Sequence, residues 1–144
     1  MEPKYKFGKS SINRLNNVHP KLQELMYECI KYSPIDFSIV QGLRTIEEQI
    51  DCVKRGVSKT FNSHHLYGLA IDFAPYVNGK INWEHKNFHP IIDHIKKTAR
   101  ELNINITSGA DKFKSFIDLP HIQLEGEEKD PKIIKELKER GLIK

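Results

Sequence analysis

SHHLYGLAID, residues 63–72, is the stretch that decides how this chain folds and where its chemistry lies. The apolar run over residues 69–74 predicts a buried strand, and Gly68 permits a sharp turn just before it. Side chains alternate between the two faces of a strand, so Asp72 points away from the core while its apolar neighbours point into it. The turn then brings His65 back over Asp72, which places an imidazole beside a carboxylate.

His121 supplies a third candidate ligand, at the start of a second short apolar run, residues 121–124. Two histidines and one aspartate are a typical set for catalytic zinc, which binds three protein ligands and leaves one position for water. The HExxH pattern is absent, which excludes a thermolysin-like site. Seven histidines in 144 residues make such a triple easy to find by chance. His64 beside His65 leaves the choice of ligand open, and Asp72 could instead cap a turn.

A carboxylate and a guanidinium are candidates to assist such a metal. Asp118 lies three residues before His121, and it could take a proton from the attacking water and pass it to a leaving amine. Arg44 follows a predicted strand, where it could hold an anionic substrate group or stabilise a developing oxyanion. The alternatives are an exposed loop residue for Asp118 and a surface ion pair with Glu47 or Glu48 for Arg44.

Short apolar segments predict a small, mainly antiparallel sheet. Asn78-Gly79 is a strong signal for a two-residue hairpin, and the other segments are adjacent or separated by one helix. This pattern favours an α+β fold with flanking helices rather than regular βαβ winding. The predicted strands are residues 37–40, 69–74, 76–77, 80–81, 104–107 and 121–124.

Helix starts are marked by proline or by a capping box. Pro20, Pro90 and Pro131 each follow a histidine or an aspartate, and they stand where a missing N–H costs nothing. Thr45 and Glu48 match the capping-box pattern at the start of another helix. That helix is expected to direct an apolar face into the core, formed by Ile46, Ile50 and Val53.

Composition indicates one globular domain. The chain is 38% hydrophobic and 29% charged, which fits a folded protein rather than a disordered one. No apolar run reaches the roughly 18 residues of a membrane helix, and the charged N-terminus lacks the apolar region of a signal peptide. We therefore expect synthesis in the cytoplasm and no membrane insertion.

The net charge of +4 is mild and the basic residues are scattered, which argues against nucleic-acid binding. Cys29 and Cys52 are expected to be small buried residues rather than a disulfide.

Four segments together resemble a family of zinc peptidases that includes the vancomycin-resistance D-Ala-D-Ala peptidases and phage L-alanyl-D-glutamate endolysins. Residues 63–72 match the SxHxxGxAxD motif of that family, and DLPH at 118–121 matches its second motif. VQGLRT at 40–45 is similar to the segment that carries the family arginine. IDFAPYVNGKI at 71–81 is similar to the L-alanyl-D-glutamate branch. The resemblance runs from about residue 5 to residue 125.

The resemblance implies a zinc-dependent cleavage of peptidoglycan stem peptides, within the small α+β fold shared with Hedgehog-type domains. Asp118 would activate the water, and Arg44 would stabilise the substrate carbonyl or a carboxylate. Ser63 would support the first motif by hydrogen bonding and contribute to substrate binding, and His64 would be a bystander. The implied ligands of Zn2+ are His65, Asp72 and His121.

Two features depart from the family pattern. The usual Gly-Gly-Asp-Trp stretch is GADK at 109–112, which leaves open whether Asp111 contributes to the pocket. Residues 126–144 have no counterpart, and we expect them to pack as a helical tail on a peptidase domain of residues 1–125.

The expected function is hydrolysis of the L-Ala–D-Glu bond of stem peptides by a phage endolysin. We expect this enzyme to be a monomer that acts on the cell wall after release through a phage-made membrane pore. A D-Ala-D-Ala carboxypeptidase is an alternative within the same family. A non-catalytic wall-binding module is a further alternative, against which the complete ligand set with Asp118 argues.

Overall fold

The structure is a computed structural model that describes residues 2–112 and 117–144. Helices and strands alternate irregularly along the chain, as expected for an α+β fold. The helices are α1 (Lys9–Leu15), α2 (Pro20–Tyr32), α3 (Ile46–Lys54), α4 (His85–Leu102), α5 (Gly109–Lys112) and α6 (Pro131–Glu139), with a 3₁₀ turn at His64–Tyr67. The strands are β1 (Phe37–Gln41), β2 (Ala70–Val77), β3 (Lys80–Ile81), β4 (Ile106–Ser108) and β5 (His121–Leu124).

The sheet has the strand order β1-β2-β5-β4, and each of these neighbours is antiparallel. The short strand β3 pairs with the end of β2 through the predicted hairpin, in which Asn78 and Gly79 both have positive φ. The predicted α+β class with a small antiparallel sheet is therefore confirmed. Strands β2 and β5 lie at the centre, so their side chains meet neighbours on both sides.

An aromatic row anchors the central strand to its surroundings. Phe73 on β2 contacts Phe37 on β1 with ring centroids 5.6 Å apart, and it contacts Phe88 on α4 at 5.4 Å. All three rings are at most 2% exposed. Because side chains alternate along a strand, burying Phe73 and Ile71 in this core directs Asp72, between them, to the other face.

Several predicted boundaries are wrong. The predicted strands 69–74 and 76–77 form the single strand β2, which begins at Ala70. Helix α4 begins at His85, and Pro90 lies inside it rather than at its start. The additional turn brings Phe88 into the core, and that burial compensates for the backbone hydrogen bond that Pro90 cannot donate. Strand β4 begins at Ile106 rather than at residue 104. Ile104 instead donates its N–H to the Ala99 carbonyl and completes the end of α4.

The buried face of α3 also differs from the prediction. The residues of this helix that are buried are Gln49 and Cys52, not the predicted apolar set. Ile46, Ile50 and Val53 are only partly buried. The capping box is present as predicted, and Cys29 and Cys52 are buried and free, also as expected.

The C-terminal residues contact the rest of the chain at several points. Leu137 on α6 is fully buried. Arg140 Nη2 lies 2.9 Å from Glu47 Oε1 on α3, and the ammonium of Lys129 lies 5.2 Å from the ring centre of Tyr67. These contacts support our proposal that residues 126–144 pack on the domain formed by residues 1–125. Over the described residues, none of the helices has the length and apolar character needed to cross a bilayer.

We predict that Thr45→Ala lowers the free energy of unfolding by about 1 kcal/mol, the usual cost of losing an N-cap. Thr45 Oγ1 accepts a hydrogen bond of 3.1 Å from the N–H of Glu48, and Glu48 Oε1 accepts one of 2.9 Å from the N–H of Thr45. Urea titration measures the change. Thr45→Ser keeps the hydroxyl and should lose much less, so equal losses in the two variants would contradict the cap as the cause.

Candidate metal centre

Two of the three candidate metal ligands form a cross-strand pair. Asp72 on β2 and His121 on β5 are direct partners in the antiparallel register. Side chains at such positions share a face and lie within contact distance. His121 Nδ1 is accordingly 3.3 Å from Asp72 Oδ1. The sheet therefore brings together two of the three predicted ligands without the help of a loop.

His65 reaches the pair from the 3₁₀ turn that precedes β2. Ser63 caps this turn, because its Oγ accepts a hydrogen bond from the His65 N–H. Gly68 ends the turn with a φ of +68°, a conformation that other residues rarely adopt. The turn places His65 Nε2 3.3 Å from Asp72 Oδ1. Its other nitrogen, Nδ1, is 2.9 Å from the Gly42 carbonyl oxygen, so Nδ1 donates and Nε2 keeps its lone pair.

The geometry of this trio fits a zinc ion. Ligand atoms of His65, Asp72 and His121 all lie within 4.8 Å of one another. Two atoms bound to tetrahedral zinc at about 2.0–2.1 Å lie about 3.3–3.4 Å apart, which matches the two imidazole-to-carboxylate distances of 3.3 Å. Within the described part of the chain, His65 Nε2 and Asp72 Oδ1 are buried without a hydrogen-bond partner. Buried polar atoms of this kind usually have a partner, and a cation would supply it.

Charge is concentrated in the trio. Burial alone would raise the pKa of Asp72, but the neighbouring imidazoles of His65 and His121 outweigh burial and lower that pKa. Burial alone would lower the pKa of His121, and the adjacent carboxylate of Asp72 raises it instead. The carboxylate is therefore strongly favoured as an anion, which is the form that binds a metal.

Asp118 lies beside the trio on the segment that leads into β5. Its carbonyl accepts a hydrogen bond of 3.1 Å from the His121 N–H, and its own N–H donates to the Gly109 carbonyl at 3.2 Å. Burial and the negative charge of Asp72 raise the pKa of Asp118. A carboxylate in such surroundings takes up a proton more readily than an exposed one, which suits an acid–base role.

Arg44 faces the same carboxylate from the loop before α3. Its Nη2 is 3.7 Å from Asp72 Oδ2, and its N–H donates to the His65 carbonyl at 3.0 Å. The alternative surface pairing with Glu47 or Glu48 is not the one found. Glu47 pairs with Arg140, and Glu48 caps α3.

Gln49 is a site residue that sequence reasoning missed. This buried side chain accepts a hydrogen bond of 2.7 Å from Arg44 Nη1. Its amide donates to Ser58 Oγ and to the Thr60 carbonyl at 2.8 and 2.7 Å. Gln49 thus ties the guanidinium to the neighbouring loop. Its position one turn before Cys52, on the same helix face, was the available signal.

The three candidate ligands, Asp118 and Arg44 line a cavity of about 750 Å³. Ser63, Lys59 and the exposed Trp83 lie on its wall. Asp111 is not among the described residues that line the cavity, and its carboxylate pairs with Lys96 instead. Three side chains that could hold a metal, a half-buried carboxylate and a guanidinium around one open cavity form a set suited to hydrolysis of an amide bond.

Comparison with known proteins agrees with this chemistry. The sequence model of the phage L-alanyl-D-glutamate peptidase family matches residues 3–124. The L-alanyl-D-glutamate peptidase of Escherichia phage T5 is 40% identical over 111 residues, which cover 74% of this chain and 81% of that protein. The peptidoglycan L-alanyl-D-glutamate endopeptidase CwlK of Bacillus subtilis is 32% identical over 103 residues, or 62% of this chain and 61% of that protein.

A solved structure has a similar fold. The crystal structure of the Serratia marcescens L-Ala D-Glu endopeptidase ChiX superimposes with a TM-score of 0.77 at 32% sequence identity. The match covers 84% of this chain and 91% of the ChiX chain. The similarity therefore extends over most of both proteins.

We predict that Gly109→Ala lowers the free energy of unfolding by about 1–3 kcal/mol, the usual cost of overpacking. A Cβ at this position would overlap the carbonyl oxygen of Asp118 and lie 3.0 Å from His121 Cβ. The backbone that carries both side chains would have to move, and metal affinity should fall with it. Urea titration and chelator competition measure the two effects.

Gly8→Ala is the matched control, because a Cβ there would meet nothing within 4 Å. It should change stability by less than about 1 kcal/mol and leave metal affinity unchanged. A Gly109→Ala variant as stable as Gly8→Ala would show that the segment before β5 can yield to the added methyl group.

Proposed function

This chain belongs to the phage L-alanyl-D-glutamate peptidase family, and we propose that it hydrolyses the L-Ala–D-Glu bond of peptidoglycan stem peptides with the help of a zinc ion. The observation that carries the proposal is the convergence of His65, Asp72 and His121 on the wall of one cavity. Asp118 and Arg44 line the same cavity, where a peptide could contact all five side chains.

Zinc is the ion that we propose for the centre. Two imidazole nitrogens and one carboxylate oxygen form a donor set typical of catalytic zinc, and the 3.3 Å separations support a tetrahedral arrangement. When bound, zinc would polarise the scissile carbonyl and lower the pKa of the attacking water. His65, through Nε2, and His121, through Nδ1, would hold the ion together with Asp72.

Asp118 is the proposed general base and acid. It would accept the proton of the attacking water and deliver it to the leaving nitrogen of D-Glu, so that the amine leaves uncharged. Its raised pKa supports this cycle, because the group must hold the proton between the two transfers.

Arg44 and Ser63 are the proposed substrate-binding residues. The guanidinium of Arg44 would stabilise the negative charge that develops on the carbonyl oxygen, or bind a carboxylate of the stem peptide. Gln49 supports this role, since it holds one end of the guanidinium in place. Ser63 lies on the cavity wall and caps the turn that carries His65.

The setting that we propose is lysis of a bacterial cell wall by a phage endolysin, reached through a phage-made membrane pore. The similarity to a phage enzyme supports this setting. We propose that the enzyme works as a monomer, because one chain contributes all three ligands, the base and the arginine. Residues 1–125 would form the peptidase domain, in agreement with the end of the family match at residue 124.

Digestion of purified sacculi followed by mass spectrometry tests the proposed bond. The zinc-loaded protein should release sugar-free peptides with a new N-terminal D-Glu. Released D-Ala would instead indicate a D-Ala-D-Ala carboxypeptidase. Absence of both products in the presence of zinc-loaded protein would contradict both activities and favour a wall-binding module.

We predict that Asp118→Ala keeps zinc but loses turnover by about 10²- to 10⁴-fold, the usual contribution of a general acid–base group. The substitution removes the base and none of the three ligands. Zinc content by metal analysis and release of D-Glu-terminated peptides by chromatography give the two readings. Asp111→Ala, which removes an exposed carboxylate outside the cavity, should change neither. A parallel loss of zinc in Asp118→Ala would show that Asp118 is a ligand.

A further inference from the structure

Gln123 is a buried amide next to the metal centre that the proposed mechanism does not use. It lies on the central strand β5, opposite Ala70 on β2 and Thr107 on β4, and is only 3% exposed. It follows His121 by two positions, so both side chains are on the same face of the sheet. Burying an amide costs free energy unless its polar atoms are hydrogen-bonded, so its hydrogen-bond partners indicate its role.

The side-chain amide of Gln123 contacts three other side chains. Its Oε1 is 2.8 Å from His121 Nε2. Its Nε2 is 2.6 Å from Glu125 Oε1 and 3.3 Å from His64 Nε2. The side chain thus connects a metal ligand to a carboxylate closer to the surface.

Glu125 decides which way this amide points. An ionised carboxylate only accepts hydrogen bonds, so the NH2 group of Gln123 must face it. The carbonyl oxygen is then left for His121, and it can only accept. His121 must therefore carry its proton on Nε2, and its lone pair lies on Nδ1, the nitrogen that faces Asp72.

We propose that Gln123, oriented by Glu125, is a positioning residue that holds the His121 ring with Nδ1 toward the metal. This inference rests on the proposed metal centre. The two histidines are held differently: the outer nitrogen of His65 is held by the backbone carbonyl of Gly42, whereas that of His121 depends on a side chain. Metal affinity is therefore sensitive to substitution at Gln123.

His64 gains a place in the same arrangement. Its Nε2 accepts the second N–H of the Gln123 amide at 3.3 Å, so both hydrogens of the NH2 group have acceptors. An amide with both hydrogens engaged is less free to rotate by half a turn and present a donor to His121.

The test measures zinc affinity of the full chain by competition with a chromogenic chelator. Gln123→Met keeps the size of the side chain but removes the acceptor, and we expect zinc to bind about 10- to 100-fold more weakly. Glu125→Ala leaves Gln123 in place and only removes the group that orients it. We expect a loss of several-fold there, and this variant decides the question if Gln123→Met does not fold.

An exchange of the two groups separates positioning from packing. In the double variant Gln123→Glu with Glu125→Gln, a carboxylate oxygen still accepts from His121, and the amide now donates from the outer position. We expect its zinc affinity to lie within about threefold of the original. Thr98→Val is the control for loss of a buried hydrogen bond elsewhere, since Thr98 Oγ1 donates to the His94 carbonyl at 2.8 Å.

NMR of the zinc-loaded protein gives a second reading. The Nε2 proton of His121 should be protected from exchange with solvent in the original chain and in the double variant. This protection should be lost in Gln123→Met. Unchanged zinc affinity in both Gln123→Met and Glu125→Ala would overturn the inference. So would a double variant that binds zinc as weakly as Gln123→Met. If the original chain bound no zinc, both the metal centre and this inference would be refuted. Intact zinc binding without peptidase activity would refute only the proposed reaction.

Discussion

The antiparallel register of β2 and β5 is the constraint on which the rest of the site depends. It sets Asp72 directly opposite His121 in the middle of the sheet, where neither strand can slip without moving its apolar residues out of the core. Ile71, Phe73 and Ile122 are all fully buried, so the same packing that stabilises the fold also holds the ligand pair. Ligands at paired positions of two central strands are therefore held in place by the packing of the core.

Around that pair, the protein concentrates groups that stabilise one buried carboxylate. Asp72 faces His65, His121 and Arg44, and these cationic or polar partners offset the large cost of burying an anion. Each partner is held in turn by a group behind it: the Gly42 carbonyl, Gln123 and Gln49 respectively. The site therefore has three side chains that face Asp72 and a second set of groups that orients them.

Much of this arrangement was predictable because its signals are local. The capping box at Thr45, the turn at Gly68 and the hairpin at Asn78 each depend on a few neighbouring residues, and each was found where predicted. The start of α4 was not, because burial of Phe88 against Phe73 extends the helix past Pro90. The burial of the Gln49 side chain was not predicted either, because it also depends on tertiary contacts. Its partners lie on a loop that the helix pattern does not describe.

By itself, the sequence determined the α+β class, the candidate ligands and the residues of the turn that carries His65, because these follow from periodicity, motif spacing and backbone preferences of single residues. Only the tertiary structure decided that Arg44 pairs with Asp72 rather than with Glu47, and that Gln123 holds His121. These are choices between side chains of similar chemistry. They depend on strand register and on contacts between residues far apart in the chain, which no local pattern records.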